Sequence, residues 1–114
     1  MGRKTIYISG AITHDPNYKS HFHKAEQDIY ENVSRGEWDF TGFINPARVN
    51  CELPSDFEWA DYMECCYKYL DLCQGIYMLK GWQNSEGAKR ELAYAKLMNI
   101  EIYYEDGEED GTGQ

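Results

Sequence analysis

Short runs of branched and aromatic residues alternate with longer amphipathic stretches along this chain, and that alternation limits the folds open to it. Lys4–Ser9 reads as a buried strand, closed by Gly10. Pro16 and Asn17 then open a helix in which Tyr18, Phe22, Ala25, Ile29 and Val33 recur at steps of four and three. Arg35 and Gly36 stop it. Phe40–Ile44 is a short second strand ending at Asn45-Pro46, and residues 47–54 read as a loop. Ser55 to Glu58 has the spacing of a capping box, with Ser55 as the N-cap. The helix after it carries Trp59, Met63, Cys66, Tyr67, Leu70 and Cys73 along one side. Gly75–Leu79 is a third strand, residues 81–85 form a loop, 85–98 a helix, and Ile100–Tyr104 the last strand. Strands alternating with helices predict the α/β class: a small Rossmann-like three-layer fold around a mostly parallel sheet of four or five strands. In such sheets ligands bind beyond the carboxyl ends of the strands, near the point where the strand order reverses.

With 114 residues there is room for one domain, set at 1–104, followed by an acidic tail at 105–114 that lacks apolar residues and is expected to be disordered. The formal charge of −9 owes more than half to tail acids, so the domain itself is only mildly acidic. Phosphate neutralisation along a duplex needs clustered Lys and Arg, which argues against a nucleic-acid partner. A single small phosphate is not, because a helix end can hold one. The apolar runs are too short for a membrane span, and the first segment reads as a strand and not a signal peptide. Cys51, Cys65, Cys66 and Cys73 contain no C-x-x-C pair and are expected to be reduced thiols, which suggests the cytoplasm. His14, His21 and His23 lack metal-ligand spacing, and neither metal nor cofactor is expected.

One residue resists the pattern. In the helix over 85–98, Ala88, Leu92, Ala95 and Met98 define an apolar stripe, and Glu91 falls on it. A carboxylate aimed along an apolar face is costly unless it is hydrogen-bonded, paired or protonated. It either swings to water at the stripe's edge or faces a site. Asn84 or Ser85 begins this helix, and Gly87 lies one turn before Glu91 on the same side. The unpaired amides there suit an anion.

The segments Tyr7-Ile8-Ser9-Gly10-Ala11-Ile12-Thr13 and Asn84–Ala95 resemble the nucleoside 2-deoxyribosyltransferase-like family, most of all its short phage- and bacterium-associated branch, over residues 4–104. They are also similar to 2′-deoxynucleoside 5′-phosphate N-hydrolases. The resemblance implies that Glu91 is the nucleophile and that Tyr7 positions it. It implies that Ser85 matches the serine of members acting on nucleoside 5′-monophosphates, where members acting on free nucleosides carry an acid. It also places Gly10, Ile12 and Thr13 in the loop around phosphate or sugar. Two carboxylate positions of the family fall on Cys66 and Gln74 here, and Ala11 stands where a proline is common.

The expected chemistry is cleavage or transfer at the N-glycosidic bond of a nucleoside or nucleoside 5′-monophosphate, with Glu91 attacking the anomeric carbon. With the usual acid missing, Asp61, Asp71 or a water would protonate the departing base. Ser9 or Gly10 amides, Asn84, Ser85 and Gly87 would hold phosphate. Asn45 lies at a strand end that faces the site. Trp82 and Trp59 are possible stacking surfaces for the base, and Trp59 reads more readily as core or subunit contact. The competing readings are a binding protein that sequesters a nucleotide-derived metabolite or signal, and an interaction domain without a small ligand. A homodimer or larger assembly is expected, with Trp59, Tyr62, Tyr67 and Tyr69 as contact surface.

Overall fold

The computed structural model describes residues 4–12, 15–49 and 53–105. Four strands form one all-parallel sheet: β1 (Thr5–Ser9), β2 (Gly42–Ile44), β3 (Gly75–Met78) and β4 (Glu101–Tyr104). The helices are α1 (Tyr18–Ser34), α2 (Pro46–Val49), α3 (Trp59–Asp71) and α4 (Glu86–Leu97), with a 3₁₀ turn at Trp82–Asn84. The strand order is β2-β1-β3-β4. The chain therefore steps from β1 to one neighbour, crosses back to the other side, and continues outward. The reversal lies between β1 and β3, where a ligand site is expected.

Strand periodicity sorts the side chains into two layers. Ile6 and Ile8 point to one face with Tyr77 and Leu79, where Phe22, Ala25 and Ile29 of α1 cover them. Tyr7 points to the other, with Ile76 and Met78, beneath Cys66 and Leu70 of α3 and Ala88, Leu92 and Ala95 of α4. Ser9, two residues after Tyr7, shares Tyr7's face. Both strand residues thus aim at α4 for no reason beyond the pleat.

Several boundaries differ from the sequence reading. Phe40 lies outside β2 and is buried against the α1 face of the sheet, within a T-shaped aromatic cluster with Trp38 and Tyr103. Residues 46–49, read as loop, form the single turn α2. The N-cap of α3 is Glu58 and not Ser55, and Asp61 three residues on accepts the Glu58 backbone N–H at 2.8 Å. A carboxylate on the exposed first turn serves as well as a hydroxyl, so the cap lies three residues beyond Ser55. Met98 caps the end of α4 and is exposed, so it leaves the stripe that Ala88, Glu91, Leu92 and Ala95 share. Glu105, placed in the tail by composition, accepts the Lys80 backbone N–H at 2.7 Å and pairs with Lys24.

Gly75 opens β3 directly under the Phe40 ring. A Cβ there would stand 2.8 Å from Phe40 Cζ and 2.9 Å from Cε1. The ring is held on its edges by other aromatics and has little room to retreat. Gly75→Ala is expected to lower stability by about 1–3 kcal/mol, as core overpacking does. Urea denaturation measures it, and a change below about 0.5 kcal/mol would show that the ring relaxes freely.

Candidate active site

Of the two courses open to it, Glu91 turns inward and not to water. It shares the buried face of α4 with Ala88, Leu92 and Ala95. Its side chain is 6% exposed and meets the sheet where β1 ends. The Tyr7 hydroxyl donates to Oε2 at 2.8 Å and the Ser9 hydroxyl donates to Oε1 at 2.6 Å. Each carboxylate oxygen therefore has its own buried donor. Cys66, on α3, adds a thiol contact to the same group.

Burial raises the Glu91 carboxyl above its ordinary range, and the Ser9, Tyr7 and Cys66 donors pull against that rise. Burial pushes the Cys66 thiol up to about 12, with the Glu91 charge adding to it. Burial also lifts the Tyr7 phenol well above its usual value, again with help from Glu91. Tyr7 and Cys66 thus stay protonated as donors to the Glu91 carboxylate. None of the partners is a cation, so nothing neutralises the charge when it forms.

A cleft of about 620 Å³ opens above this cluster. Gly10 and Ile12 line it from the end of β1, Pro46 and Ala47 from α2, and Tyr18 from α1. Trp59, Tyr62, Met63 and Cys66 form the α3 wall. Asn84, Ser85, Gly87 and Glu91 form the α4 side. Ser85 is the N-cap of α4, and its hydroxyl accepts the Ala88 N–H at 3.1 Å. That leaves the Glu86 and Gly87 amides at the first positions of the helix, which have no intrahelical acceptor. The cleft thus joins a buried carboxylate to a helix N-terminus suited to an anion.

The remaining sequence assignments scatter. Thr13 lies outside the described residues. Asn45 is buried but turned away from the cleft: its Nδ2 donates to Glu26 at 2.7 Å and its Oδ1 accepts the Ala47 N–H at 2.9 Å. Trp82 packs on Tyr104 and borders a separate hollow of about 230 Å³, so it does not line the cleft. Asp61 is occupied at the start of α3 and does not line the cleft either. Asp71 accepts the Tyr94 hydroxyl. Gln74, just before β3, accepts the Thr5 N–H at 2.7 Å. Of the tyrosines assigned to a subunit contact, Tyr62 lines the cleft and Tyr67 packs on Tyr94 with ring centroids 4.9 Å apart.

Sequence reasoning passed over a second buried carboxylate. Glu26 lies on the apolar face of α1 and is 7% exposed. Arg48 reaches it with two bonds, from Nε at 2.5 Å and Nη2 at 2.8 Å. The Arg48 guanidinium holds the Glu26 carboxyl below its usual range. The signal was available, since Glu26 stands between Ala25 and Ile29 on the stripe just as Glu91 stands beside Leu92. The two differ in what answers them: a cation ties α2 to α1 through Glu26, whereas hydroxyls and a thiol hold Glu91.

The chain matches, over residues 4–104, the family described as a domain of unknown function, DUF4406. It belongs to that family. No curated protein matches the sequence. The DUF4406 match spans both halves of the cleft, from the β1 end through α4, so the whole constellation around Glu91 lies within the family domain. Among the described residues, no group of three or more His, Cys, Asp or Glu side chains is arranged to hold a metal ion. No helix among them is long and apolar enough to cross a membrane.

Proposed function

We propose that this DUF4406 domain cleaves or transfers at the N-glycosidic bond of a nucleoside 5′-monophosphate, with Glu91 as the nucleophile. The observation that carries the reading is the Glu91 carboxylate, buried at the floor of the cleft with one hydroxyl donor on each oxygen. Such clamping fixes the carboxylate's position, and its donors are not cations, so it keeps the charge that attack on an anomeric carbon requires. The resemblance to nucleoside 2-deoxyribosyltransferase-like proteins and to 2′-deoxynucleoside 5′-phosphate N-hydrolases points the same way.

In this reading the phosphate rests against the α4 N-terminus, with Ser85 and the Glu86 and Gly87 amides as donors and the Gly10 backbone opposite. The sugar lies over Glu91. As the C1′–N bond lengthens, positive charge grows at C1′ and the carboxylate stabilises it before closing the covalent ester. Tyr7 and Ser9 are positioning residues, each through its hydroxyl on Glu91. Water completes hydrolysis, and a second base completes transfer.

A second reading has its own support. Asp61 is committed to the α3 cap, Cys66 replaces the carboxylate that the resemblance would place beside the base, and its thiol is a very weak acid. A cleft so equipped suits holding a nucleotide-derived metabolite or signal without turnover.

Incubation with ribo- and deoxynucleoside 5′-monophosphates, followed by chromatography for released base, separates the two. Release of base supports cleavage. Tight, saturable binding without release supports the holding role. Absence of both release and thermal stabilisation by every nucleotide sinks both readings.

A further inference from the structure

We propose that the substrates of this cleft are nucleotides whose base is joined to C1′ through a quaternary, pyridinium-type ring nitrogen, an inference that rests on the glycosidic reading above.

The first support is the character of the walls. Tyr18, Trp59 and Tyr62 give the cleft three aromatic side chains from two helices. Its titratable lining is otherwise Tyr7, Cys66, Glu86 and Glu91; Glu86 is paired with Arg90 and Lys89, so the negative charge that no cation answers is that of Glu91, and among the described lining residues no Lys, Arg or His appears. Trp59 already takes a cation on its ring, with the Arg90 guanidinium 5.4 Å from the centroid. A flat aromatic cation is attracted both by ring faces and by net negative charge. A neutral purine or pyrimidine gains only from the rings.

The second support is the fate of the leaving group. A neutral base leaves as an anion unless it is protonated during departure, and positioned acids typically supply about 10²–10⁴ in rate. Glu86 is the one carboxylate besides Glu91 among the described lining residues and is paired with Arg90 at 3.0 Å, while Asp61 and Asp71 lie outside the lining, bonded to the Glu58 N–H and the Tyr94 hydroxyl. From α3, Cys66 and Met63 line the same cleft and supply no carboxylate. A pyridinium glycoside needs no proton to depart. The C1′–N bond breaks, its electron pair returns to the ring nitrogen, and the ring leaves neutral. A Glu91 oxygen forms the C1′–O bond. Water then attacks C1′, the ester C1′–O bond breaks, the carboxylate is restored, and the proton from water goes to solvent. Each turnover consumes one water and releases one proton.

Nicotinamide mononucleotide is the probe, set beside the common deoxynucleoside monophosphates, with the intact chain and with Glu91→Gln as control. Chromatography follows the released ring or base, and kcat/KM is recorded across pH. The expected result is release of nicotinamide at a kcat/KM at least about 10²-fold above that for any deoxynucleotide. Its pH profile should climb with Glu91 ionisation to a plateau, without the falling limb that a general acid imposes. Deoxynucleotide cleavage equal to or faster than nicotinamide release, or a bell-shaped profile for nicotinamide release, overturns this inference and leaves the glycosidic reading standing. Failure to cleave either class overturns both.

Discussion

Glu91→Gln should abolish turnover while leaving the protein folded. Losing a covalent nucleophile commonly costs on the order of 10⁴-fold or more in kcat. The amide matches the carboxylate in size, can accept from one hydroxyl through its oxygen, and can donate to the other through its nitrogen. Binding should change far less than kcat, because the phosphate contacts are made by other groups, at the N-terminus of α4. A stability readout accompanies the kinetic one. Burial raises the folded carboxyl above the ordinary range of a glutamate. The folded state therefore holds the Glu91 proton more tightly than the unfolded chain does. This contribution is fully present below the unfolded value and is lost as pH rises through the raised folded value. The melting temperature of Glu91→Gln should accordingly gain on that of the natural chain as pH increases across that window. Turnover by Glu91→Gln within tenfold of the natural chain would remove the nucleophile from the account. A pH-independent gap in melting temperature would contradict the burial argument separately.

Ser85→Asp should invert the preference between phosphorylated and free nucleosides. Asp caps a helix about as well as Ser, and its charge suits the positive end of α4, so the fold should be kept. The same charge would face an incoming phosphate. Two unit charges about 5 Å apart at an effective dielectric near 20 repel by roughly 3 kcal/mol. Affinity for a nucleoside monophosphate should fall by about 10²-fold, with little loss for the free nucleoside. Titration calorimetry with both ligands reads the ratio directly. Equal losses for the two would mean that phosphate does not approach α4.

The architecture was legible because each strand is a near-continuous apolar run and each long helix keeps a regular stripe. Parallel strands buried on both faces lose the alternating pattern, yet β1 and β3 still stand out between Gly, Asn and Pro boundaries. The boundaries that shifted did so where tertiary packing overrode local signals. Phe40 belongs to an aromatic cluster and not to β2, and the cap of α3 was decided between several competent residues. Glu91 was legible from its own helix alone, because an acid on an apolar stripe is anomalous in any fold. Asn45 was not: its position at a strand end was correct, but its direction depends on Glu26 and Arg48, which approach from α1 and α2. Trp82 failed in the same way, since packing on Tyr104 across the edge of the sheet cannot be read from a loop. Ser9 had a register-based orientation that the pleat fixes, and only the partner it meets was hidden.

The hydroxyl clamp also has a temporal meaning. Tyr7 and Glu91 stand 84 positions apart in the chain, and Ser9 and Glu91 stand 82 apart. Translation runs from the first strand toward the last helix, at about 5–20 residues per second. The donors leave the ribosome seconds before the acid they are to grip. No nascent fragment ending before α4 can hold the Glu91 clamp, which forms only once that helix has docked on the first strand.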